Sequence, residues 1–537
     1  MTRIGLLFLM AFGAAAFNAA ADIIPASDPT FLGSVLDETW DTRAAASHGY
    51  IDGMMPLSDV DLTVLVKTPG VVALHFDTSI YPPTQADGAG PTFEILVDGV
   101  RGDRVTVGPK VAVVATAELQ PGRHRVRFVA SSNTSSPRWN ANDPQMARVT
   151  GVEIPTGSHL EKSQRLTHWF LALTDSIGEG ALNMNTTRQT FRNWPPGGYT
   201  DSDRAWPAEA ARLLHESICG YLISGIGIVR GGTGTPFGAL NPTDPSGAND
   251  PWDHIFAGVP RPFDTAPDFI ILCVGTNEWA TDPNTIGRGP ADPSSADAPF
   301  AANVETFFAR VRAHPHLKST PIYVSVPFGG FKRTALQKAV ANYRAAHPDE
   351  KHIELFDVAF GSPDLKATAG IDEGALFAGL TKNRPDDADT VPSAQAPDRT
   401  HPYAIATPAI GTVNAHEQLA NVIATRLHKM LAGGAAPKTG ELKAGPMIVT
   451  RNGLNVSLDV FPANGGSAPY LYQFEKSVDG GKTWTNQGPV ITSLDGIVHS
   501  ITLSDNLAAG PASYRYTVTD TAEPPAQFIS EMETESP

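Results

Sequence analysis

In Trp169-Phe170-Leu171-Ala172-Leu173-Thr174-Asp175-Ser176-Ile177-Gly178-Glu179-Gly180, an apolar run enters a polar turn and two glycines follow. A short, nearly all-apolar run predicts a strand buried on both faces. A serine at the carboxyl end of such a strand sits where open α/β sheets present reactive groups. Asp and Ser are also common turn residues. Taken alone, the stretch fits an ordinary turn and a nucleophile equally well, and residues farther along the chain must separate the two.

From Leu166 to about Leu431, apolar runs alternate with helical stretches. Ile218 to Ile226, Phe269 to Val274, Pro321 to Val326 and His352 to Phe356 read as strands. Trp206 to Glu216, Ala301 to Ala313, Thr334 to His347 and Glu417 to Met430 read as helices. This alternation predicts a parallel sheet covered on both faces. Thr281 to Pro299 and Thr381 to Asp398, rich in Pro, Asp and Ser, read as long surface loops.

Ahead of this region, short strand-like runs from Asp61 to Val129 are broken by turn dipeptides, among them Asp98-Gly99 and Pro121-Gly122, both hairpin signals. They predict an antiparallel sandwich, preceded by a short helix near Ser34 to Ala46. Behind it, a Gly/Ala/Lys/Pro-rich linker leads to a second set of short strands, expected to form an immunoglobulin-like sandwich. There Ser477-Val478-Asp479-Gly480-Gly481-Lys482-Thr483-Trp484 resembles an Asp-box hairpin and reads as a structural turn. The expected layout is a leader at 1–21, an N-terminal β-sandwich at 22–158, an α/β domain at 159–433, a linker at 434–446 and a C-terminal β-sandwich at 447–537.

The leader rests on Arg3, the apolar run Ile4 to Phe17 and Ala19-Ala20-Ala21, which together read as an export signal cleaved after Ala21. The run is short for a membrane span, so a secreted or periplasmic protein without a transmembrane segment is expected. The net charge of -16 and pI near 5.4 argue against nucleic acid as a partner. Cys219 and Cys273 alone make no disulfide scaffold and are expected to be unpaired.

Three polar blocks fall at strand ends or in loops: Asp175-Ser176, Gly275-Thr276-Asn277-Glu278 and Asp398-Arg399-Thr400-His401-Pro402. A parallel sheet could bring all three to one rim. A serine hydroxyl is a weak nucleophile that needs an adjacent base. His401 can take its proton and return it to a leaving alcohol. Asp398, three residues earlier, can orient the imidazole. A tetrahedral intermediate needs donors aimed at its oxyanion; the side chain of Asn277 and the backbone N–H groups of Gly225 and Ser176 can supply them. His168, His215 and His254 show no metal-ligand spacing, and Gly231 to Gly234 lacks the Lys of a phosphate loop. No metal or cofactor is called for. Asp175 reads as a brace for the turn, and His416 as a structural hydrogen-bonding group.

With these blocks in this order, the sequence resembles the SGNH (GDSL-like) hydrolases. The octet from Leu173 to Gly180 resembles their Gly-Asp-Ser-Ile-Thr-Glu-Gly block, with Thr174 in place of its first Gly and Gly178 in place of its Thr. Gly275 to Glu278 resembles Gly-Thr-Asn-Asp with Glu in the last place, and Asp398 to His401 resembles Asp-x-x-His. Ser224-Gly225-Ile226-Gly227 stands where the family has its glycine block, with Gly225 the first choice there and Gly227 the fallback. A narrower resemblance, over about 60–431, is to carbohydrate esterase family 2, carried by Ser224 to Arg230, Trp252-Asp253 and His416. Extra residues separate His401 from His416 here.

The resemblance implies a jelly-roll N-terminal sandwich, a three-layer flavodoxin-like α/β domain, and a cofactor-independent serine esterase that deacetylates polysaccharide or oligosaccharide. It implies Ser176 as nucleophile, His401 as base, and Ser176, Gly225 and Asn277 as oxyanion donors. Family 2 members can work without the supporting Asp, so Asp398 is either a full triad member or a weak assistant. Trp279 is either core or a sugar-stacking platform. The C-terminal sandwich lies outside the resemblance and is a candidate for binding glycan or a cell surface. Two other readings stay open: a lipase, thioesterase or polyester hydrolase, and a non-catalytic glycan-binding or adhesion protein.

Overall fold

The computed structural model describes residues 21–33, 39–43, 45–85, 89–132, 137–161, 168–181, 183, 200–214, 216–232, 235–278, 297–327 and 332–357. Beyond these it describes positions 416, 419–420, 423–424, 427, 442 and 444, and the stretches 447–452, 455–460, 463, 470–493, 501–504, 512–520, 527–530 and 532–535. Among the described residues, no helix is long and apolar enough to cross a membrane.

Two antiparallel sheets come first. One orders Trp40–Asp41, Ile51–Gly53, Ala147–Pro155, Ala73–Phe76 and Val113–Ala115, with Ala21–Pro25 also paired to Ala147–Pro155. The other orders His159–Glu161, Asp59–Val66, Gly122–Ser132, Thr92–Val97 and Val100–Thr106. Alternation along Asp59–Val66 explains the layering. Val60, Leu62, Val64 and Val66 enter the core between the two sheets, with Phe93, Phe128, Leu74 and Val152. Asp59 and Asp61 point to the other face, where Arg127 and Arg125 of the neighbouring strand meet them.

That second face abuts the next unit. Arg101 reaches Asp203 at 2.6 Å, and Arg104 donates to the Thr200 carbonyl. Burial pushes the Asp203 carboxyl up, but Arg212, Arg101 and Arg127 together hold it down at about 2. The pairing therefore keeps an anion inside the interface, as a buried charge requires.

Asp98 and Gly99 have φ of 51° and 78° and join the facing residues Val97 and Val100, the geometry of a tight type I′ hairpin. Two local expectations are corrected. Pro121-Gly122 is no hairpin: Val113–Ala115 lies in the first sheet and Gly122–Ser132 in the second, so the turn carries the chain between sheets. Pro121 has no N–H to extend a ladder. The helix expected near 34–46, of which 34–38 and 44 lie outside the described residues, is interrupted by the strand Trp40–Asp41, and one-turn helices stand at Pro29–Leu32 and Ala45–His48. Asp28 caps the first through the Thr30 N–H, with Pro29 at its first position.

The next unit holds five parallel strands in the order Ser217–Leu222, Trp169–Thr174, Phe269–Cys273, Ile322–Ser325 and Ile353–Phe356. Every residue of Trp169–Thr174 is buried. Leu171 and Leu173 face the layer of Asp297–Ala313 and Arg333–Ala346. Phe170 and Ala172 face Trp206–Leu214 and the helical positions Leu419, Ile423 and Leu427. Each large apolar side chain so buried contributes about 1.5–3 kcal/mol. The chain moves from Trp169–Thr174 to one neighbour, then crosses back to the other. The strand order thus reverses between Trp169–Thr174 and Phe269–Cys273, the position at which open α/β sheets leave a crevice beyond their carboxyl ends.

Beyond 440, Met447–Asn452, Asn455–Val460 and Ile501–Ser504 form one antiparallel sheet. Thr485–Ser493, Tyr470–Ser477, Ala512–Thr519, Gln527–Ile529 and Glu533–Glu535 form another. Leu442, Val456, Leu458, Tyr472, Phe474 and Tyr516 fill the space between them.

Candidate active site

Ser176 opens a one-turn helix, Ser176–Glu179, directly after the strand Trp169–Thr174. Asp175 is its N-cap: Oδ1 accepts the Ile177 N–H at 3.0 Å, and the Asp175 carbonyl accepts the Glu179 N–H at 2.9 Å. Asp175 thus braces the turn. The helix stops at Gly180, whose φ of 75° favours glycine. Gly178 is required for another reason, since a Cβ there would lie 2.0 Å from Thr174 Cγ2. The result is a tight turn with Ser176 nearly buried, at 5% exposure.

The segment from Ile223 to Ile228 follows the neighbouring strand and lies beside this turn. Its amides are almost all engaged. Ile223 N–H donates to the Thr174 carbonyl, Ile226 N–H to Ile223 and Gly227 N–H to Arg230. Ser224 donates both its N–H and its hydroxyl to Glu179 Oε2, and Ile228 N–H donates to Glu278 Oε1. Among the described residues, Gly225 alone in this segment has an amide with no acceptor. Its φ of 82° turns the backbone there. Gly227, whose amide is engaged at 3.0 Å, is not available as an oxyanion donor in this geometry.

The Gly275-Thr276-Asn277-Glu278 block closes the arrangement. Asn277 Nδ2 donates to the Ile226 carbonyl at 2.9 Å and lies 3.5 Å from Asp175 Oδ2. Arg230 Nη1 donates to the Asn277 carbonyl at 2.8 Å. Gly275, with φ of 141°, makes the bend out of the strand. Glu278 turns back under the loop. Burial pushes its carboxyl up to about 7, nearby Asp175 adds to that push, and the Ile228 N–H opposes it. A Cβ on Gly227 would fall 1.8 Å from Glu278 Oε1, so only glycine leaves room for this contact.

Two further groups, Glu179 and Arg138, were not legible as site residues in the sequence. Glu179 lies within the octet; its Oε1 accepts Arg138 Nη1 at 2.6 Å, with both side chains 1% exposed. Arg138 comes from the loop between Gly122–Ser132 and Ala147–Pro155, and nothing local marks it. His416 is fully buried, and its Nδ1 accepts the Trp206 N–H at 3.0 Å at the start of Trp206–Leu214. This is a structural hydrogen bond at a helix start. Asp398, His401 and Trp279 lie outside the described residues, as do positions 281–296 and 381–398, where long loops are expected. The loop assigned to Thr281–Pro299 is shorter than expected, because the helix Asp297–Ala313 begins within it.

A small, mostly apolar cavity of about 10 Å³ is walled by Asp175, Ile177, Trp206, Cys273, Leu419 and Ile423. It has room for at most one water and is a packing void. The described groups at the crevice are a buried serine, one unengaged amide and a carboxamide; the Asn277 carboxamide bonds to Ile226 and Asp175, the residues next to Gly225 and Ser176. Such a set suits an electrophilic carbonyl whose oxygen gains charge.

No protein-family model matches the chain, and no curated protein matches it. Solved structures do. An acetyl xylan esterase, Est2A, from the rumen bacterium Butyrivibrio proteoclasticus superposes with a TM-score of 0.50 at 13% identity, over 76% of this chain and 99% of that one. A family two carbohydrate esterase from Cellvibrio japonicus gives 0.49 at 14%, over 77% and 98%. One from Clostridium thermocellum, in complex with cellohexaose, gives 0.48 at 15%, over 73% and 98%. At such identities the likeness concerns the fold alone. The chain shares the fold of the acetyl xylan esterase Est2A.

Proposed function

We propose that the protein is an exported serine esterase that removes O-acetyl groups from a polysaccharide or oligosaccharide, with residues 1–21 as its leader and no cofactor. The observation that carries this reading is the union of Ser176, Gly225 and Asn277 at the strand-order reversal, with Gly225 N–H unengaged while its neighbours' amides are bonded. Ser176 Oγ attacks the acetyl carbonyl as His401 takes its proton. Gly225, Asn277 and the Ser176 amide stabilise the oxyanion. His401 returns the proton to the departing sugar hydroxyl, leaving an acetyl-enzyme. Water then attacks, His401 takes its proton, acetate leaves and Ser176 is reprotonated. Asp398 orients His401 in this scheme, and Trp279 is the candidate for stacking on sugar.

The decisive experiment is Ser176→Ala assayed on 4-nitrophenyl acetate, with fluorophosphonate labelling of the unaltered protein. Loss of hydrolysis with the fold intact, and labelling at Ser176, is expected; full retained activity refutes the assignment. A chain-length series sets the substrate class. An optimum beyond butyrate would point to lipids, since each buried methylene adds about 0.8 kcal/mol.

A further inference from the structure

The N-terminal β unit sends one loop into the α/β unit, and two consecutive side chains of that loop are buried there. Trp139 joins the core formed with Leu171, Tyr221 and Ile223, its ring 6.5 Å from that of Tyr221. Its carbonyl accepts the Ala257 N–H at 2.8 Å. Beside it, Arg138 pairs with Glu179, three residues after Ser176. The other oxygen of the same carboxylate takes both donors of Ser224. One carboxylate therefore joins the N-terminal unit, the nucleophile's turn and the residue before Gly225.

We propose that Arg138 is a positioning residue for ester hydrolysis: through Glu179 it fixes the Ser224–Gly225 turn so that the Gly225 N–H points at the developing oxyanion. The inference rests on the esterase reading above. The physical ground is the charged hydrogen bond from Arg138 Nη1 to Glu179 Oε1. A buried carboxylate with Ser224 on one oxygen and nothing on the other can rotate about its last bond. A guanidinium on the second oxygen fixes both the rotation and the charge. The turn it holds has positive φ at Gly225, and a small rotation there re-aims the one unengaged amide. Oxyanion donors act only within a narrow geometry, which is why a misplaced one loses rate and not binding. On this account the N-terminal unit is part of the catalytic apparatus in addition to any role in holding glycan.

The test uses the full chain and compares Arg138→Met, Arg138→Lys, Glu179→Gln and Ser224→Ala with Ser176→Ala, on 4-nitrophenyl acetate. Arg138→Met is expected to lower kcat about 10- to 100-fold with KM unchanged within about twofold. Phosphonylation of Ser176 by a fluorophosphonate should slow in parallel. Arg138→Lys should restore part of the rate, and Arg138→Met with Glu179→Gln together should lose little more than the worse single change. If Arg138→Met does not fold, Glu179→Gln and Ser224→Ala decide, each with kcat reduced at constant KM. Folded variants that keep kcat within about twofold, while Ser176→Ala is dead, overturn the positioning role and leave the esterase reading standing. Full activity in Ser176→Ala instead overturns the esterase reading, and this inference with it.

Discussion

Two turns in this molecule are built around a carboxylate that collects donors, and they behave in opposite ways. In the hairpin between Tyr470–Ser477 and Thr485–Ser493, the exposed Asp479 accepts the Thr483 hydroxyl at 2.6 Å, the Ser477 hydroxyl at 2.7 Å, and the N–H groups of Thr483 and Lys482. Its donors are all within four residues, and the Thr483 hydroxyl above all holds its carboxyl down at about 2. Under the Gly225 loop, the buried Glu278 accepts the N–H of Ile228, fifty residues away in sequence. Burial pushes it up to about 7. Donor number and water access thus set the sign. The exposed turn is held by its own neighbours, whereas the buried one fixes two distant segments together at a cost in charge desolvation.

The largest effect should come from crowding the buried turn. Gly227→Ala places a Cβ 1.8 Å from Glu278 Oε1, with both groups packed and neither at the end of an exposed chain. The loop must shift, and Gly225 with it. A kcat loss of about 100-fold or more is expected, with a stability loss of about 1–3 kcal/mol. Adding Glu278→Ala should return part of the rate, because it removes the atoms that the new methyl meets. No rescue would mean that the alanine acts through its own backbone.

Next in size is a pH effect. The Glu278 carboxyl rises from an ordinary 4.5 to about 7 on folding, so the folded chain holds a proton the unfolded chain has released. The sign follows: the stability linked to this group is fully present below about pH 4.5 and is lost as pH rises through about 7. A shift of this size corresponds to about 3 kcal/mol. Glu278→Gln should remove that slope, so denaturant midpoints of the two proteins should coincide below about pH 4.5, separate in favour of the variant between about pH 4.5 and 7, and stay apart above that. Parallel curves would break the contrast with Asp479.

What could be read in advance divides along the same line between local and distant. Phe269 to Val274 was legible as a buried strand because a strand covered on both faces must be apolar throughout, and Asp98-Gly99 because positive φ at two successive residues calls for these types. Pro121-Gly122 misled because the same dipeptide serves a hairpin and a crossing between sheets. At the site, the Ser176, Asn277 and glycine blocks were visible as motifs. Which glycine presents its amide was not, since that depends on Gly227 being bonded to Arg230. Arg138 left no trace, because its partner lies 41 residues away in a different unit and ion pairs across units have no period or turn signal.

The smallest effect belongs to the exposed turn. Asp479→Asn keeps the shape and one acceptor but loses the charge that the surrounding donors favour. Since this carboxyl is depressed on folding, its stabilising effect is present above the ordinary 3.8 and is lost as pH falls through about 2. The variant should therefore lower the melting temperature of the C-terminal unit slightly at neutral pH, and the difference from the unaltered protein should vanish in strong acid. Hydrolysis of 4-nitrophenyl acetate should stay within about twofold at every pH, because every donor to Asp479 lies within its own hairpin. A drop in kcat comparable to that of the buried-turn variants would show that the two turns are coupled through the body of the protein, and the division between a self-contained turn and a clamp would fail.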